Sequence, residues 1–153
     1  GFRFEGTARR ALIEAKFRGI STLLPPLARA AADAVPDFWA PDAVVPVPLS
    51  AARRRRRGFN QAQVAAEAVA RALGCPLEVA LVQRVRDTTP QSTLTAAERE
   101  RNLDAAFVAH GAPARVLVVD DVTTTGTTLA AVAHALRAAG ARQVLALALA
   151  RED

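Results

Sequence analysis

The sequence predicts an α/β fold in which a central, mainly parallel β-sheet is flanked by helices. The first indication is an apolar run at residues 116–119 without alternation, which is typical of a strand buried on both faces. The second is a similar run at residues 143–149, separated from the first by a helical pattern over residues 129–139. The third is the alternation of strand and helix patterns over the later two thirds of the chain, which favours a parallel sheet.

Composition and charge limit the class of protein. The 153 residues are expected to form a single globular domain, because 51% are hydrophobic and 23% are charged. The net charge of +5 and an isoelectric point near 11.1 favour anionic partners such as phosphorylated metabolites or nucleic acid. The one cysteine, Cys75, excludes an internal disulfide or a cysteine-cluster zinc site and suits a cytoplasmic location. No apolar run has membrane-spanning length, and because the sequence contains no methionine we expect further residues upstream.

Two helices are predicted before the first central strand. Residues 1–19 begin extended and then become amphipathic, with Leu12, Ile13 and Phe17 on one helical face. Residues 23–35 form the second predicted helix, whose prolines at positions 25 and 26 are tolerated only in its first turn. Both helices are therefore expected to pack on the sheet that follows them in the chain.

The middle of the chain begins with a short predicted strand at residues 43–45. This strand is expected to stop near Val45, because Pro46 and Pro48 interrupt a hydrogen-bonded ladder. A run of five arginines follows and is predicted to form a basic turn. Residues 60–73 then show a strongly helical pattern.

The next segment connects this helix to the central strand. Residues 77–83 are predicted to form a strand, and residues 84–91 a mobile loop, because the loop has turn residues and no apolar period. Residues 95–102 read as a short polar helix that begins with capping-box spacing. A brief strand at residues 105–108 precedes the central strand.

The carboxyl end of the central strand carries the chemistry. Asp120 and Asp121 follow the apolar run directly, and together they suit the two neighbouring hydroxyls of a sugar or the water shell of Mg²⁺. The turn and helix start that follow offer backbone N–H groups and the positive end of a helix dipole, which is an anion site. An acid pair beside a phosphate site describes a ribose 5-phosphate pocket. The alternative is a strand end with solvated acids and a helix capped by threonine. The predicted phosphate-binding residues are Thr123, Thr124, Thr125, Gly126, Thr127 and Thr128.

The run VLVVDDVTTTGTTL resembles the signature with which type I phosphoribosyltransferases bind 5-phosphoribosyl 1-diphosphate (PRPP). Other motifs are similar to those of the ComF-type, competence-associated members of that family. They are EGTARRALIEAKFRG near the start, VPVP, RGFNQ, the closing LAR, and a spaced series formed by Arg84, Arg86, Thr88, Gln91, Leu94, Arg99, Asn102, Ala106 and Phe107. The Cys-rich zinc module with which that family commonly begins has no counterpart here, so no zinc is expected in this chain.

The resemblance implies a type I phosphoribosyltransferase-like fold, with a small N-terminal hood at about residues 1–42 and a PRPP-binding core at about residues 43–153. It implies transfer of ribose 5-phosphate from PRPP to an acceptor, with Mg²⁺ on the substrate diphosphate and at most Asp120 and Asp121 as protein ligands. It also implies Asp120 and Asp121 as the catalytic residues. The position that carries an acid in many purine-salvage relatives is Thr124, a poor general base, which disfavours simple purine salvage and leaves the acceptor open.

Three strand ends are expected to converge on the site, since ligands of such sheets collect at the carboxyl ends of the strands. Guanidinium groups on the loop that follows residue 83 pair well with phosphate oxygens, although two solvated loop arginines are the alternative. The predicted diphosphate and substrate-loop residues are Val47, Pro48, Arg84, Arg86 and Gln91.

A second hypothesis is that the protein has the phosphoribosyltransferase fold but does not catalyse a reaction. Competence-associated relatives act in DNA uptake, so a single-stranded DNA-binding accessory beside a DNA-uptake helicase is the alternative function; a PRPP-sensing regulator and a homodimer are also left open. The basic run suits DNA, but it has one neighbouring aromatic residue and is equally compatible with a solvated turn or a diphosphate contact. The candidate nucleic-acid contacts are Arg53, Arg54, Arg55, Arg56, Arg57 and Phe59.

Overall fold

The computed structural model describes residues 2–3, 5–18, 21–85 and 106–152. The predicted polar helix at residues 95–102 and all of the predicted loop beyond residue 85 lie outside these ranges. Within them the helices are α1 (Gly6–Arg18), α2 (Leu24–Ala32), α3 (Ala51–Arg57), α4 (Gln61–Leu73) and α5 (Thr127–Ala138). The strands are β1 (Phe2–Arg3), β2 (Ala43–Pro46), β3 (Val82–Arg84), β4 (Phe107–Ala109), β5 (Arg115–Thr123) and β6 (Gln143–Arg151).

The main sheet has four parallel strands in the order β1-β6-β5-β2, which confirms the predicted α/β class. Strand β5 lies inside the sheet, and its residues Val116 to Val119 are completely buried. Two layers cover it, because alternate side chains of a strand face opposite sides. Leu117 and Val119 pack in a cluster with residues of α1, α2 and α4, whereas Val116 and Val118 pack in a cluster with residues of α5, β3 and β4.

Strand β2 runs one residue further than predicted, since Pro46 pairs with Val119 of β5. The proline is tolerated because its missing N–H would face away from β5, toward the outer side of β2. On that outer side the backbone N–H of Val44 donates to the carbonyl of Pro76 at 2.8 Å. The N–H of Val47 resumes the inner ladder by donating to Val119 at 2.9 Å.

The prediction of a strand over residues 77–83 was largely wrong. Leu77 makes one isolated parallel bridge with Val44, and the strand itself covers Val82 to Arg84. It pairs antiparallel with β4, in a separate two-stranded sheet rather than in the main one. Because Pro46 has no N–H to offer on the outer edge of β2, the ladder that begins at Leu77 cannot continue along that edge.

The helices follow the predictions with two corrections. The second predicted helix is a 3-10 turn, Ser21–Leu23, followed by α2, with Pro25 and Pro26 in its first turn as expected. The arginine run is a helix, α3, and not a turn, because the Ser50 side chain accepts a hydrogen bond from the N–H of Arg53 and caps its start. None of the helices in the described ranges has the length and apolar character that a bilayer crossing requires.

Candidate functional site

The candidate site is a cleft at the carboxyl ends of β2 and β5. Pro46 and Val119 are register partners, so the residues that follow them, Val47 and Asp120, emerge side by side. The cleft has a volume of about 250 Å³, several times the ~30 Å³ that one water molecule occupies in the liquid, so it has room for an anion. Its lining consists of Val47, Pro48, Leu49, Arg53, Arg57, Asn60, Gln61, Arg84, Asp120, Asp121, Val122, Thr124, Thr128 and Glu152.

Both acids of the pair face this cleft, although their environments differ. Asp120 is only 9% exposed, whereas Asp121 is half-buried. Each carboxylate is fixed by the backbone of the next residue: the N–H of Asp121 donates to Asp120 Oδ1, and the N–H of Val122 donates to Asp121 Oδ1, both at 2.9 Å. The acids are therefore held in position by the strand and are not freely solvated.

Burial raises the pKa of Asp120 well above its ordinary value, and the neighbouring charge and side chain of Asp121 raise it further. The backbone N–H of Asp121 and the charge of Arg84 act weakly in the opposite direction. A raised pKa favours the protonated form of Asp120. The pair can then present both an O–H donor and a carboxylate acceptor to a ligand.

Residues 123–128, the threonine loop, form one side of the cleft. Helix α5 begins at Gly126, which adopts a φ of 79°, a conformation that residues with a Cβ rarely adopt. Among the described residues no side chain caps this helix start, which contradicts the alternative of a threonine-capped helix. Of the six predicted phosphate-binding residues, Thr124 and Thr128 line the cleft; Thr123, Thr125, Gly126 and Thr127 do not. The hydroxyls of Thr125 and Thr127 instead lie 3.0 Å apart, in hydrogen-bond contact with each other.

The opposite side of the cleft is basic. Arg53 and Arg57 reach it from α3, and Arg84 reaches it from the end of β3. The Arg84 guanidinium lies 5.4 Å from the centre of the buried Phe107 ring, a cation–π distance that fixes its direction. Among the described residues no group of three or more His, Cys, Asp or Glu side chains is arranged to hold a metal ion.

Comparisons with known proteins identify the family. The sequence matches the phosphoribosyl transferase domain family over residues 27–152. The chain belongs to this family. It is 41% identical over 114 residues to DNA utilization protein YhgH of Salmonella typhi, covering 72% of this chain and 50% of the relative. It is 39% identical over 116 residues to Competence protein F of Haemophilus influenzae, covering 72% of this chain and 51% of the relative.

These relatives support a ComF-type phosphoribosyltransferase domain, which confirms the family predicted from the motifs. The chain spans about half the length of the curated relatives it matches. Among solved structures, the chain is similar to the allosteric regulatory enzyme of purine biosynthesis, with 27% identity and a TM-score of 0.55. The match covers 82% of this chain and 25% of that enzyme's chain. Glutamine PRPP amidotransferase from B. subtilis, complexed with ADP and GMP, matches 80% and 25%, with 26% identity and a TM-score of 0.51.

The lining of the cleft includes residues that the sequence analysis did not assign to the site. Asn60 and Gln61 belong to the RGFNQ motif, which is similar to a motif of the ComF-type members and was given no role in the predicted site. The sequence feature that could have indicated them is a pair of adjacent amide side chains at the start of an apolar helix. Polar side chains that are buried at such a position require hydrogen-bond partners, which a ligand can supply. Leu49 and Glu152 also line the cleft, and no sequence pattern pointed to them.

Several predicted contacts are not tested or are differently placed. Arg86 and Gln91 lie outside the described residues. Arg54, Arg55 and Arg56 are exposed and do not line the cleft. Phe59 is half-buried and packs against the cluster beneath the sheet, so part of its ring is already covered by protein.

Proposed function

We propose that this domain binds PRPP, or a nucleotide with the same ribose 5-phosphate, and transfers the phosphoribosyl group to an acceptor. The observation that carries the proposal is the buried acid pair, Asp120 and Asp121, in a cleft with hydroxyl donors on one side and guanidinium groups on the other. PRPP has the matching order of groups, with sugar hydroxyls lying between a phosphate and a diphosphate. Polar groups that converge in one cleft are the usual mark of a small-molecule site.

The acid pair would hold the ribose hydroxyls. A hydroxyl is both a donor and an acceptor, and so is a carboxyl pair in which Asp120 retains its proton and the remaining oxygens accept. The raised pKa of Asp120, caused by burial and by Asp121, supports this division. Because both carboxyl groups are fixed by backbone N–H groups, the pair loses little freedom when the sugar binds.

The threonine loop would hold the 5-phosphate. Thr124 and Thr128 supply hydroxyl donors at the cleft, and the start of α5 adds the positive end of a helix dipole. Gly126 leaves that helix start uncapped by a side chain. These groups are neutral or partially charged, and they suit a phosphate that stays attached throughout the reaction.

In the proposed reaction the bond between C1 and the diphosphate oxygen breaks, and its electron pair leaves with the diphosphate. A lone pair of the acceptor forms the new bond to C1, and the acceptor's proton passes to solvent or to a base that the acceptor site supplies. Positive charge develops at C1, so a carboxylate near the ring stabilises the transition state. Thr124 is a poor general base, and an acceptor that is already nucleophilic fits better than a simple purine.

Mg²⁺ fits this site as a companion of the substrate. No cluster of three or more ligating side chains exists among the described residues, and the raised pKa of Asp120 favours its protonated form, which binds a cation poorly. The ion would therefore be held by diphosphate oxygens and water, with Asp121 as the available protein carboxylate. It would neutralise charge on the leaving group. We place the activity in the cytosol, the compartment that suits the free Cys75.

Calorimetry with PRPP tests the proposal. We expect Mg²⁺-dependent binding to the wild-type domain, and loss of at least about 100-fold in affinity when Asp120→Asn and Asp121→Asn are combined, because the variant lacks the carboxyl O–H of Asp120 and the carboxylate of Asp121 as partners for the hydroxyls. A circular dichroism spectrum shows whether the double variant is folded. A wild-type domain that binds neither PRPP nor ribose 5-phosphate would contradict the proposal.

The exposed arginines support a second candidate, a DNA-binding accessory of the competence machinery that acts beside a helicase. Arg54, Arg55 and Arg56 are exposed and do not line the cleft, and relatives of the chain are called DNA utilization and competence proteins. The half-buried Phe59 weighs against base stacking. Single-stranded DNA binding that falls steeply with salt, and weakens in Arg54→Gln with Arg55→Gln, would favour it. An unchanged affinity and salt slope in that variant would reject it.

A further inference from the structure

The five arginines of α3 divide into two sets. Arg53 and Arg57 are four residues apart, one helical turn, and both line the cleft. The three between them do not line the cleft. Arg57 is half-buried, whereas Arg53 and the three between are exposed to solvent. Ser50 caps the start of α3, and Gly58 ends it with a φ of 80°, so the direction of the faces of this short helix is fixed by both of its ends.

Gln61 extends the cleft-facing set into the next helix. Its side chain is buried, with only 1% exposed, and its Oε1 accepts a hydrogen bond from Arg57 Nη1 at 3.2 Å. Because a guanidinium can only donate, this contact fixes which end of the amide is oxygen. The Nε2 group is then directed elsewhere and has no hydrogen-bond partner among the described residues. A buried donor without a partner in the lining of a cleft indicates a ligand acceptor.

Asn60 holds this group of donors against the turn that follows β2. Its Nδ2 donates to the carbonyl of Val47 at 3.0 Å, and its Oδ1 accepts from the N–H of Ala62 at 3.1 Å. One side chain thus joins the end of β2 to the start of α4. The donors of Arg57 and Gln61 are therefore positioned relative to the Val47–Pro48 turn before any ligand binds.

The charges around the cleft indicate what these donors bind. The carboxylate of Asp121 acts on Arg57 across the cleft, and Arg53 adds a second positive charge on the same side as Arg57. The Val47–Pro48 turn offers few N–H groups of its own, because Pro46 and Pro48 have none and the N–H of Val47 is used by Val119. Side-chain donors must replace them if an anion binds beside this turn.

We propose that Arg53, Arg57 and Gln61 form the subsite for the diphosphate leaving group, with Asn60 as the residue that positions it. The inference rests on the proposed function, since it assigns one end of the PRPP cleft. Guanidinium groups bind the diphosphate oxygens, and the Gln61 amide donates a further hydrogen bond. When the C1–O bond breaks, its electron pair stays on the diphosphate, and the arginines neutralise the added negative charge. Helix α3 therefore carries arginines with two roles. Those on one face bind the leaving group, and those on the other faces contact solvent or another anion.

The test compares two double variants of the same helix. Arg53→Gln with Arg57→Gln removes two charges from the cleft face, and Arg54→Gln with Arg55→Gln removes two from the outer faces. Inorganic pyrophosphate and ribose 5-phosphate are titrated separately into each by calorimetry at one salt concentration. We expect the first variant to bind pyrophosphate at least about 30-fold more weakly and ribose 5-phosphate within about threefold of wild type. The second variant should bind both within about threefold of wild type.

A near-isosteric change separates the amide from the charges, and a circular dichroism spectrum shows whether the variant is folded. Gln61→Glu keeps the oxygen that accepts from Arg57 but replaces the free donor with an acceptor, so we expect about tenfold weaker pyrophosphate binding and ribose 5-phosphate binding within about threefold of wild type. Equal pyrophosphate affinity in the two arginine variants, while wild type binds ribose 5-phosphate, would overturn this subsite alone. A wild-type domain that binds neither ribose 5-phosphate nor PRPP would overturn the proposed function with it.

Discussion

The two ends of β5 treat acidic groups in opposite ways. At the amino end Arg115 donates to Asp42 twice, from its backbone N–H and from its guanidinium, both at 2.8 Å. These contacts lower the pKa of Asp42 and leave the pair exposed. At the carboxyl end Asp120 is buried beside a second acid, and its pKa is raised. At the amino end the fold therefore stabilises the ionised form of an acid, and at the carboxyl end it destabilises that form. A destabilised ionised group in a cleft is typical of binding sites.

The largest expected effect is on PRPP binding, which should depend on the acid at the carboxyl end of β5 and not on the acid at its amino end. Asp121→Asn and Asp42→Asn remove one carboxylate each, and each asparagine keeps an oxygen to accept its backbone N–H. We expect Asp121→Asn to weaken PRPP binding about 30-fold or more, and Asp42→Asn to change it less than about twofold. Calorimetry in matched buffer measures both. Equal losses in the two variants would mean that net charge, not the position of the acid, governs binding.

The next effect concerns stability at the carboxyl end. Because the folded pKa of Asp120 is raised above the unfolded value of about 3.9, the folded state holds its proton more tightly, and stability falls as pH rises from the unfolded pKa through the folded pKa. Asn cannot ionise, so Asp120→Asn should melt higher than wild type at pH 8, by roughly 2–4 °C per kcal/mol recovered. The difference should disappear below about pH 4. Melting curves across this range test it, and a variant that melts lower at pH 8 would contradict it.

The smallest effect is expected at the amino end, where the sign with pH is reversed. The folded pKa of Asp42 is lowered, mainly by its side-chain hydrogen bond from Arg115, so its contribution is present above the unfolded pKa and is lost as pH falls through the folded one. Since the pair is exposed, Arg115→Gln should lower the thermal midpoint by less than about 3 °C at pH 7 and low salt. High salt should reduce the difference further. A large loss that salt does not change would show that the pair supports the sheet through packing.

The central strand could be predicted from sequence because its signal is local. Four apolar residues before two acids dictate a buried strand end, and Asp120 and Asp121 lie where that pattern puts them. The predictions failed where a distant partner decides the structure. Pro46 is tolerated in β2 because its missing N–H faces away from β5, and β3 leaves the main sheet to pair with β4. Gln61 was missed because its importance depends on which face of α3 reaches the cleft, and a turn was expected there.

The central claim is that the acid pair recognises the hydroxyls of a ribose 5-phosphate. The most direct test compares the affinities of ribose 5-phosphate and 2-deoxyribose 5-phosphate for wild type and for Asp120→Asn combined with Asp121→Asn, by calorimetry at one pH and salt concentration. We expect wild type to bind the ribose compound about tenfold or more tightly than the deoxy compound, and the double variant to lose this preference. Equal affinity of the wild-type domain for the two sugars would contradict the account.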